Sequence, residues 1–357
     1  MDRSVFALAA AATLALAHAQ PAPAQEFYAG KTLKILVGLD AGGTVDTAAR
    51  LFALHLRNHI PGKPAIVIQN MPSAAGVGAT NFLYEKAEPD GLTILYNSWD
   101  PLAQALGDQL LRARYDQFEY LGGTGDIRVN YARTDTVPGG IKSPRDIVKA
   151  GNVILGALNR TDISGLLPKF ALQVLGIKHR MVVGYRGGQD VFLAMQRGEV
   201  QFHSTSISTF RSRNAAFVKS GDGIGIAYLV AVDRNGGYER SRYVTEMPAF
   251  PDLYKEVHGK LPSGPDWDAL NWLTSQIGEM TYVGFAPRDT PPAALAALRT
   301  GFEGASNDPE FVDDAIKRNG VPFTFVNVPR GQAIFRSLAD VTPAVLATLK
   351  ASIAAQN

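Results

Sequence analysis

The residues best suited to bind a ligand follow the first predicted strand. Gly42 and Gly43 come directly after it, and Thr44 and Asp46 open a predicted helix as candidate N-terminal caps. Paired glycines let backbone N–H groups turn toward one point, and a helix N-terminus adds unpaired donors and a partial positive charge. The pattern is typical of an anion site, although a tight turn before a capped helix has the same sequence.

Three later loops combine small polar residues with predicted strand-to-helix turns. Open α/β sheets bind ligands at the carboxyl ends of their strands, so these loops and the first glycine loop are expected to face one cleft. In such a cleft, Asp46 would order the helix start rather than touch the anion. The further candidate ligand-binding residues are Ser98 and Trp99 at the end of the third strand, then Asn159, Arg160, Thr161, Ser164, Gly187, Gly188 and Ser204.

Two of these candidates have two interpretations each. Arg160 either points into the cleft, where its guanidinium would pair bidentately with a carboxylate, or is a solvated loop charge. Trp99 either stacks on a flat ligand or is an aromatic residue of the core or of the cleft rim.

The histidines give little indication of catalysis. His55 and His59 have the spacing of a metalloprotease pair, but the residues between them are Leu-Arg-Asn and lack the general-base glutamate. Both lie near a predicted helix C-terminus, where histidine is favoured by the helix dipole, so a structural role is expected. His203 beside Ser204 is the weak candidate for a base and nucleophile, and neighbours on a strand face opposite ways. No catalytic residue, metal ligand or cofactor is therefore predicted.

Composition excludes several classes of protein. The 357 residues suggest about two domains. With 35 basic and 33 acidic side chains the net charge is +2, which gives no footprint for nucleic acid. The absence of cysteine excludes disulfides, thiolate metal sites and lipidation of an N-terminal cysteine.

The N-terminus has the layout of a secretory signal peptide. An apolar run at 5–16 follows Arg3, and Ala17-His18-Ala19 fits a cleavage site, with Ala22-Pro23-Ala24 as a second candidate. We therefore predict a signal peptide over residues 1–19 and an exported protein without a lipid anchor.

The elements that position the loops alternate between strand and helix, which is typical of parallel βαβ units. A Gly/Pro-rich stretch at 235–265 interrupts the alternation. The predicted strands are 33–37, 65–69, 92–96, 129–132, 153–155, 180–183, 200–202, 225–230 and 282–286. The predicted helices are 45–59, 79–86, 144–150, 166–175, 189–196, 208–220, 292–306 and 309–319, with an Ala-rich helix at the end.

The order of these motifs resembles the substrate-binding proteins of the tripartite tricarboxylate transporter family, also called Bug-type receptors. The similarity covers most of the chain after the signal peptide. The stretches that carry it are 35–51, with Ala-Gly-Gly-Thr-Val-Asp; 67–76, with Gln-Asn-Met-Pro; 88–95, with Pro-Asp-Gly; 183–188 and 197–200, with Tyr-Arg-Gly-Gly and Arg-Gly-Glu-Val; and 285–291.

The resemblance implies an α/β fold of the two-lobed, Venus flytrap, type II-like kind, with a ligand cleft between lobes and two chain crossings. Lobe 1 would be residues 26–124 plus 240–357, and lobe 2 residues 125–239. It also implies a monomer in the periplasm of a Gram-negative bacterium. This monomer would capture a small organic anion, a carboxylate, for the membrane subunits of such a transporter.

The sequence departs from the family pattern in three places. Ala41 replaces the usual proline before the glycine pair, the 156–165 loop lacks the usual histidine that follows it, and residues 260–280 look like an insertion. Two other functions stay open: a periplasmic enzyme acting on an organic acid, and a ligand receptor that feeds a sensor protein.

Overall fold

The computed structural model describes residues 27–355, except for the side chains of Glu279 and Asn319. The predicted signal peptide lies outside this range. No helix within it is both long and apolar enough to cross a membrane.

Eleven strands are described in this range. They are β1 (Thr32–Val37), β2 (Ala65–Asn70), β3 (Thr93–Ser98), β4 (Glu119–Gly125), β5 (Arg128–Arg133), β6 (Val153–Ala157), β7 (His179–Val183), β8 (Phe202–Ser206), β9 (Gly223–Tyr228), β10 (Tyr282–Ala286) and β11 (Thr324–Val326).

The α-helices of the same range surround the strands. They are α1 (Thr44–His59), α2 (Val77–Glu85), α3 (Pro101–Leu106), α4 (Ile163–Val174), α5 (Gly188–Gln196), α6 (Ile207–Ser212), α7 (Ala215–Lys219), α8 (Phe250–His258), α9 (Pro265–Glu279), α10 (Pro292–Ser306), α11 (Pro309–Asn319), α12 (Val328–Ser337) and α13 (Pro343–Ala354). The helix predicted at 144–150 is a 3₁₀ helix, Pro144–Lys149.

The strands form two sheets of matching topology. The first has the order β2-β1-β3-β10-β4-β11, and the second the order β7-β6-β8-β5-β9. In each sheet an antiparallel strand, β10 or β5, separates the third parallel strand from the fourth. The predicted α/β class with two sheet units is confirmed.

Helix α1 carries the first glycine loop against the first sheet. Its apolar residues recur at helical spacing, with Val45, Ala49, Phe52 and Leu56 all buried in the core of that sheet. The helix ends before Pro61, which lacks the N–H that a continuing helix needs. This packing fixes the N-terminus of α1 at the carboxyl edge of β1.

Two of the places where the chain passes between the sheets are adjacent. The first crossing joins β4 to β5 through Asp126, and the second joins α9 to β10 through Thr281. The Thr281 amide donates to the Thr124 carbonyl at 2.9 Å, and the Asp126 amide donates to Thr281 Oγ1 at 3.1 Å. The two connections therefore run side by side and bond to each other.

The return to the first sheet comes later than the sequence predicts. Residues 240–279 were assigned to lobe 1, but Phe250 and Leu253 of α8 and Leu270 of α9 share a core with Leu155 of the second sheet. The segment 260–280 is helix α9 within this core. Leu349 of α13 belongs to the same core, so the C-terminal helix makes a third crossing.

Strands β4 and β11 were not predicted. Three of the seven β4 residues are glycine, which weakens a strand pattern. The reason lies in helix α10: Gly122 and Gly284 are opposite each other on β4 and β10, and Phe302 packs on both. A Cβ atom at Gly284 would lie 2.2 Å from the Phe302 ring, so the sheet needs glycine there.

We expect the docking of α13 to contribute measurably to stability. Leu349 is fully buried, so Leu349→Ala should lower the free energy of unfolding by about 2–5 kcal/mol through lost packing and a cavity. Leu54→Ala is the matched control because Leu54 is 66% exposed; it should change stability by less than about 0.5 kcal/mol. Urea denaturation measures both, and equal effects would contradict the docking of α13 in this core.

Candidate ligand-binding cleft

A cavity of about 150 Å³ lies between the two sheets. The lobe of the first sheet contributes the N-terminus of α1 and the end of β3, and the lobe of the second sheet contributes β5, β8 and the start of α4. Its polar and charged lining residues include Thr44, Ser98, Asp100, Arg128, Asn159, Asp162, Ser164, His203, Ser204, Thr205 and Thr281. The cleft therefore forms where the carboxyl ends of the parallel strands face each other.

The structure brings together about half of the residues predicted from sequence. They lie on five separate loops or strand ends that converge on the cavity. The predicted residues that line it are Thr44, Ser98, Trp99, Asn159, Ser164, Gly188 and Ser204.

The first glycine loop is arranged differently from the prediction. The Gly42 amide donates to Asp46 Oδ2 at 2.7 Å, and the Gly43 amide donates to the Asp40 carbonyl at 3.0 Å. None of Gly42, Gly43 and Asp46 lines the cleft. These two amides are already bonded within the chain, so this loop presents Thr44 and Val45, at the N-terminus of α1, to the cleft instead.

Three candidates of the second lobe also lie outside the lining. They are Arg160, Thr161 and Gly187. Arg160 is exposed. Thr161 donates to Asn159 Oδ1 from its amide, at 2.9 Å, and from its hydroxyl, at 3.0 Å. Thr161, which lies outside the lining, therefore fixes the side chain of Asn159, which is part of it.

The cation in the cleft is Arg128, which the sequence reasoning missed. Its Nε atom is inaccessible to solvent and has no hydrogen-bond partner among residues 27–355. In the same range Arg128 forms no salt bridge, and burial lowers the pKa of its guanidinium. The nearby charges of Asp162 and Asp126 favour the charged guanidinium but do not outweigh its burial, which favours a further anion beside it. Its position at the start of β5, just after the chain crossing, was the available signal.

Two carboxylates share the cleft with Arg128. Asp162 caps α4 and accepts from the Ser164 hydroxyl at 2.6 Å and from its amide at 3.1 Å. Asp100 caps α3 and accepts from the Ala103 amide at 2.9 Å. Burial, with the nearby charges of Asp162 and Asp108, raises the pKa of Asp100 to about 7. Near neutral pH, Asp100 therefore exchanges a proton within the cleft.

His203 and Ser204 do not form a catalytic pair. Ser204 lies opposite Asn130 and His203 opposite Tyr131 on β5, so the two side chains leave the sheet on opposite faces. Ser204 Oγ and His203 Nδ1 have no hydrogen-bond partner in the described part of the chain. Burial and the charge of Arg128 lower the pKa of His203 to about 3, so its ring is neutral.

Trp99 is held as a rim aromatic. Its Nε1 donates to the Met280 carbonyl at 2.6 Å, and its ring packs edge-on against Tyr115 and Phe335. Only 4% of Trp99 is exposed. This arrangement ties the end of β3 to the second crossing and leaves little of the ring for stacking on a ligand.

Comparison with known proteins finds relatives along most of the chain, although no family model matches. A UPF0065 protein of Agrobacterium vitis is 30% identical over 309 residues, which cover 84% of this chain and 79% of the relative. A UPF0065 protein of Bordetella pertussis is 25% identical over 336 residues, 92% of each chain.

Solved structures share the fold at lower identity. The periplasmic binding protein BugD superposes with a TM-score of 0.67 at 19% identity and covers 91% of this chain and 98% of its own. A Rhodopseudomonas palustris protein with adipate gives 0.66 at 16%, covering 91% and 97%. MatC from the same organism, with bound malate, gives 0.62 at 18%, covering 90% and 99%. The predicted two-lobed periplasmic-binding-protein fold is confirmed.

Proposed function

We propose that this chain, which belongs to the UPF0065 (Bug) family of periplasmic solute-binding proteins, captures a small organic anion with at least one carboxylate. The family membership rests on the Agrobacterium vitis relative. It confirms the prediction of a binding protein rather than an enzyme. The proposal that the ligand is an anion rests on the residues of this chain's own cleft.

The observation that carries the proposal is the buried Nε of Arg128, which has no hydrogen-bond partner among the described residues. The planar fork of N–H donors of its guanidinium matches the two oxygens of a carboxylate, and a bidentate pair would compensate the buried charge. His203 and Ser204 line the same cavity as Arg128. The carboxylate would therefore bind against β5 and β8, and not at the first glycine loop or Arg160, where the sequence analysis placed it.

The opposite wall offers donors without a full charge. The first N–H groups of α1 have no partner within the helix, and the helix dipole places a partial positive charge there. Thr44 and Val45 bring this end to the cleft. A second carboxylate or a hydroxyl of the ligand would lie here, so a short dicarboxylate or hydroxy acid fits both walls.

The two relatives with named ligands agree with this class. MatC holds malate, and the second Rhodopseudomonas palustris protein holds adipate; both ligands are dicarboxylates. For this chain we extend the proposal to a monomer that is exported by its signal peptide and delivers the ligand to membrane subunits of a tripartite tricarboxylate-type transporter.

Contacts across the cleft suggest how ligand capture would be coupled to closure. Arg213 of the second lobe donates to Thr47 Oγ1 at 2.7 Å and also to the Gly42 carbonyl. Thr209 Oγ1 lies 3.3 Å from Thr44 Oγ1. Arg128 is two residues after Asp126, which lies at the first crossing between the sheets. If the lobes turn about the two adjacent crossings, an anion bound to Arg128 would lie close to this hinge.

Replacing Arg128 tests the anion site. Arg128→Gln should weaken binding of a dicarboxylate by at least about tenfold, because a charged bidentate pair contributes more than about 1.4 kcal/mol. Arg160→Gln is the control, since Arg160 is exposed and outside the lining; it should change the affinity less than twofold. Calorimetry with the carboxylate selected by a thermal-shift screen, malate and adipate included, measures both.

Two outcomes would contradict this assignment. One is loss of binding in Arg160→Gln with binding retained in Arg128→Gln. The other is a screen in which a neutral sugar stabilises the protein and no carboxylate does.

The pH dependence of anion binding gives a second test of the proposal, because Asp100 titrates near neutral pH. Its pKa of about 7 means that the carboxyl loses its proton as pH rises from 6.5 to 8.5. The added negative charge opposes an anion, so affinity should fall over this range. Of the neighbouring groups, Asp126 has its pKa raised to about 6 by burial, and His203 stays neutral.

Asp100→Asn isolates this effect. Asparagine keeps the cap on α3 and removes the charge, so the variant should bind the anion more tightly than the native protein at pH 8.5 and with little pH dependence above 6.5. Calorimetry at pH 6.5, 7.5 and 8.5 measures it. A variant that retains the native pH dependence would show that Asp100 does not face the ligand.

A further inference from the structure

The two histidines that the sequence assigned a structural role meet carboxylates from a distant part of the chain. His55 and His59 lie one turn apart at the end of α1, and Asp308 lies at the start of α11. His59 Nε2 is 2.7 Å from Asp308 Oδ2, and His55 Nδ1 is 3.7 Å from the same oxygen. Two imidazoles therefore converge on one carboxylate oxygen, outside the ligand cleft.

A third side chain lies close to both His55 and Asp308. Glu310 offers a carboxylate oxygen within 4.8 Å of the ligand atoms of His55 and Asp308. His55 is buried, Asp308 is partly buried and Glu310 is exposed. The cluster thus opens to solvent on one side, through which an ion could enter.

The outer contacts orient the ligands as a metal site requires. The second ring nitrogen of His55, Nε2, lies 3.5 Å from Asp314 Oδ2. A proton on Nε2 would leave the lone pair of Nδ1 directed toward Asp308, which is the usual carboxylate–histidine–metal arrangement. Asp308 is fixed as well, because its Oδ1 accepts from the Glu310 amide at 2.8 Å and its Oδ2 is left for the cluster.

We propose that His55, Asp308 and Glu310, with His59 as the fourth ligand beside Asp308, form a Zn²⁺ site that ties the end of α1 to the start of α11. Two imidazole nitrogens and carboxylate oxygens are zinc ligands rather than ligands of Mg²⁺ or Ca²⁺. At zinc–ligand distances of about 2.0–2.1 Å, tetrahedral ligand atoms lie about 3.3 Å apart. The separations of Asp308 Oδ2 from His59 Nε2, 2.7 Å, and from His55 Nδ1, 3.7 Å, bracket that value. His59 lies outside the group whose ligand atoms are all within 4.8 Å of one another, so its side chain would have to move toward the other ligands when the ion binds.

A simpler account needs no metal. Histidines at a helix C-terminus and carboxylates at a helix N-terminus are each favoured by the dipoles, and a proton could hold His59 to Asp308. The two accounts differ in what replacement of a single ligand does to zinc binding. They also differ in whether zinc stabilises the protein.

The test uses the full exported chain, stripped of metal by a chelator, with ZnCl₂ alone as the probe. Calorimetry should give one Zn²⁺ per chain at micromolar affinity or better, and saturating zinc should raise the melting temperature because it binds only the folded state. His59→Gln and Asp308→Asn should each weaken binding at least about tenfold. Asparagine at position 308 can still cap α11, which keeps that variant folded.

His258→Gln is the matched control, because His258 is an exposed histidine on α8, away from the cluster; it should bind zinc like the native protein. MgCl₂ should give no binding at the same concentrations. The proposal is overturned if the native protein binds no zinc in this range, or if His59→Gln and Asp308→Asn bind it as tightly as His258→Gln does.

Discussion

One buried positive charge governs the proposed chemistry of this cleft. Arg128 places its guanidinium between the two sheets, and no described residue offers a carboxylate or an acceptor to its buried Nε. Such a charge costs free energy until an anion joins it. The carboxylates of Asp162 and Asp126 favour its charge from nearby, but burial outweighs them and the pKa of the guanidinium stays lowered.

The position of this charge also links binding to motion. Arg128 begins the strand that follows the first crossing, and that crossing is bonded to the second through Asp126 and Thr281. A ligand on Arg128 therefore lies against the two connections about which the lobes would turn. Arg213 makes a further contact between the lobes, with Thr47, outside the cleft lining. Capture at one side and contact at the other would together favour the closed arrangement.

The sequence predicted the elements that depend on local pattern. Alternating strands and helices gave the class of fold, and helices α10 and α11 have the predicted bounds, because their capping and apolar spacing are local signals. Strand β4 was missed because its glycines serve the packing of Phe302 from a helix about 180 residues later. Helices α8 and α9 were assigned to the wrong lobe for a similar reason, since which core an amphipathic helix joins is a tertiary property.

The candidate site also has residues that local sequence could locate and features that depend on tertiary structure. Thr44, Ser98, Asn159, Ser164 and Ser204 could be placed at strand ends, and such ends meet in the cleft. Whether a backbone amide is free could not be predicted, and the amides of Gly42 and Gly43 turned out to be bonded within their own loop. Whether Arg160 points into the cleft also depended on direction, which a loop sequence does not encode, and Arg128 was not among the candidates. Likewise, the carboxylates that meet His55 and His59 come from 250 residues away.

The central claim is that an organic carboxylate neutralises Arg128 between the lobes. Mass spectrometry of the small molecule released on denaturation, after purification from the native compartment without refolding, tests it most directly. We expect an organic acid with one or two carboxylates, present in the native protein and depleted in Arg128→Gln. A neutral sugar or an organic cation, retained equally by both proteins, would contradict the account.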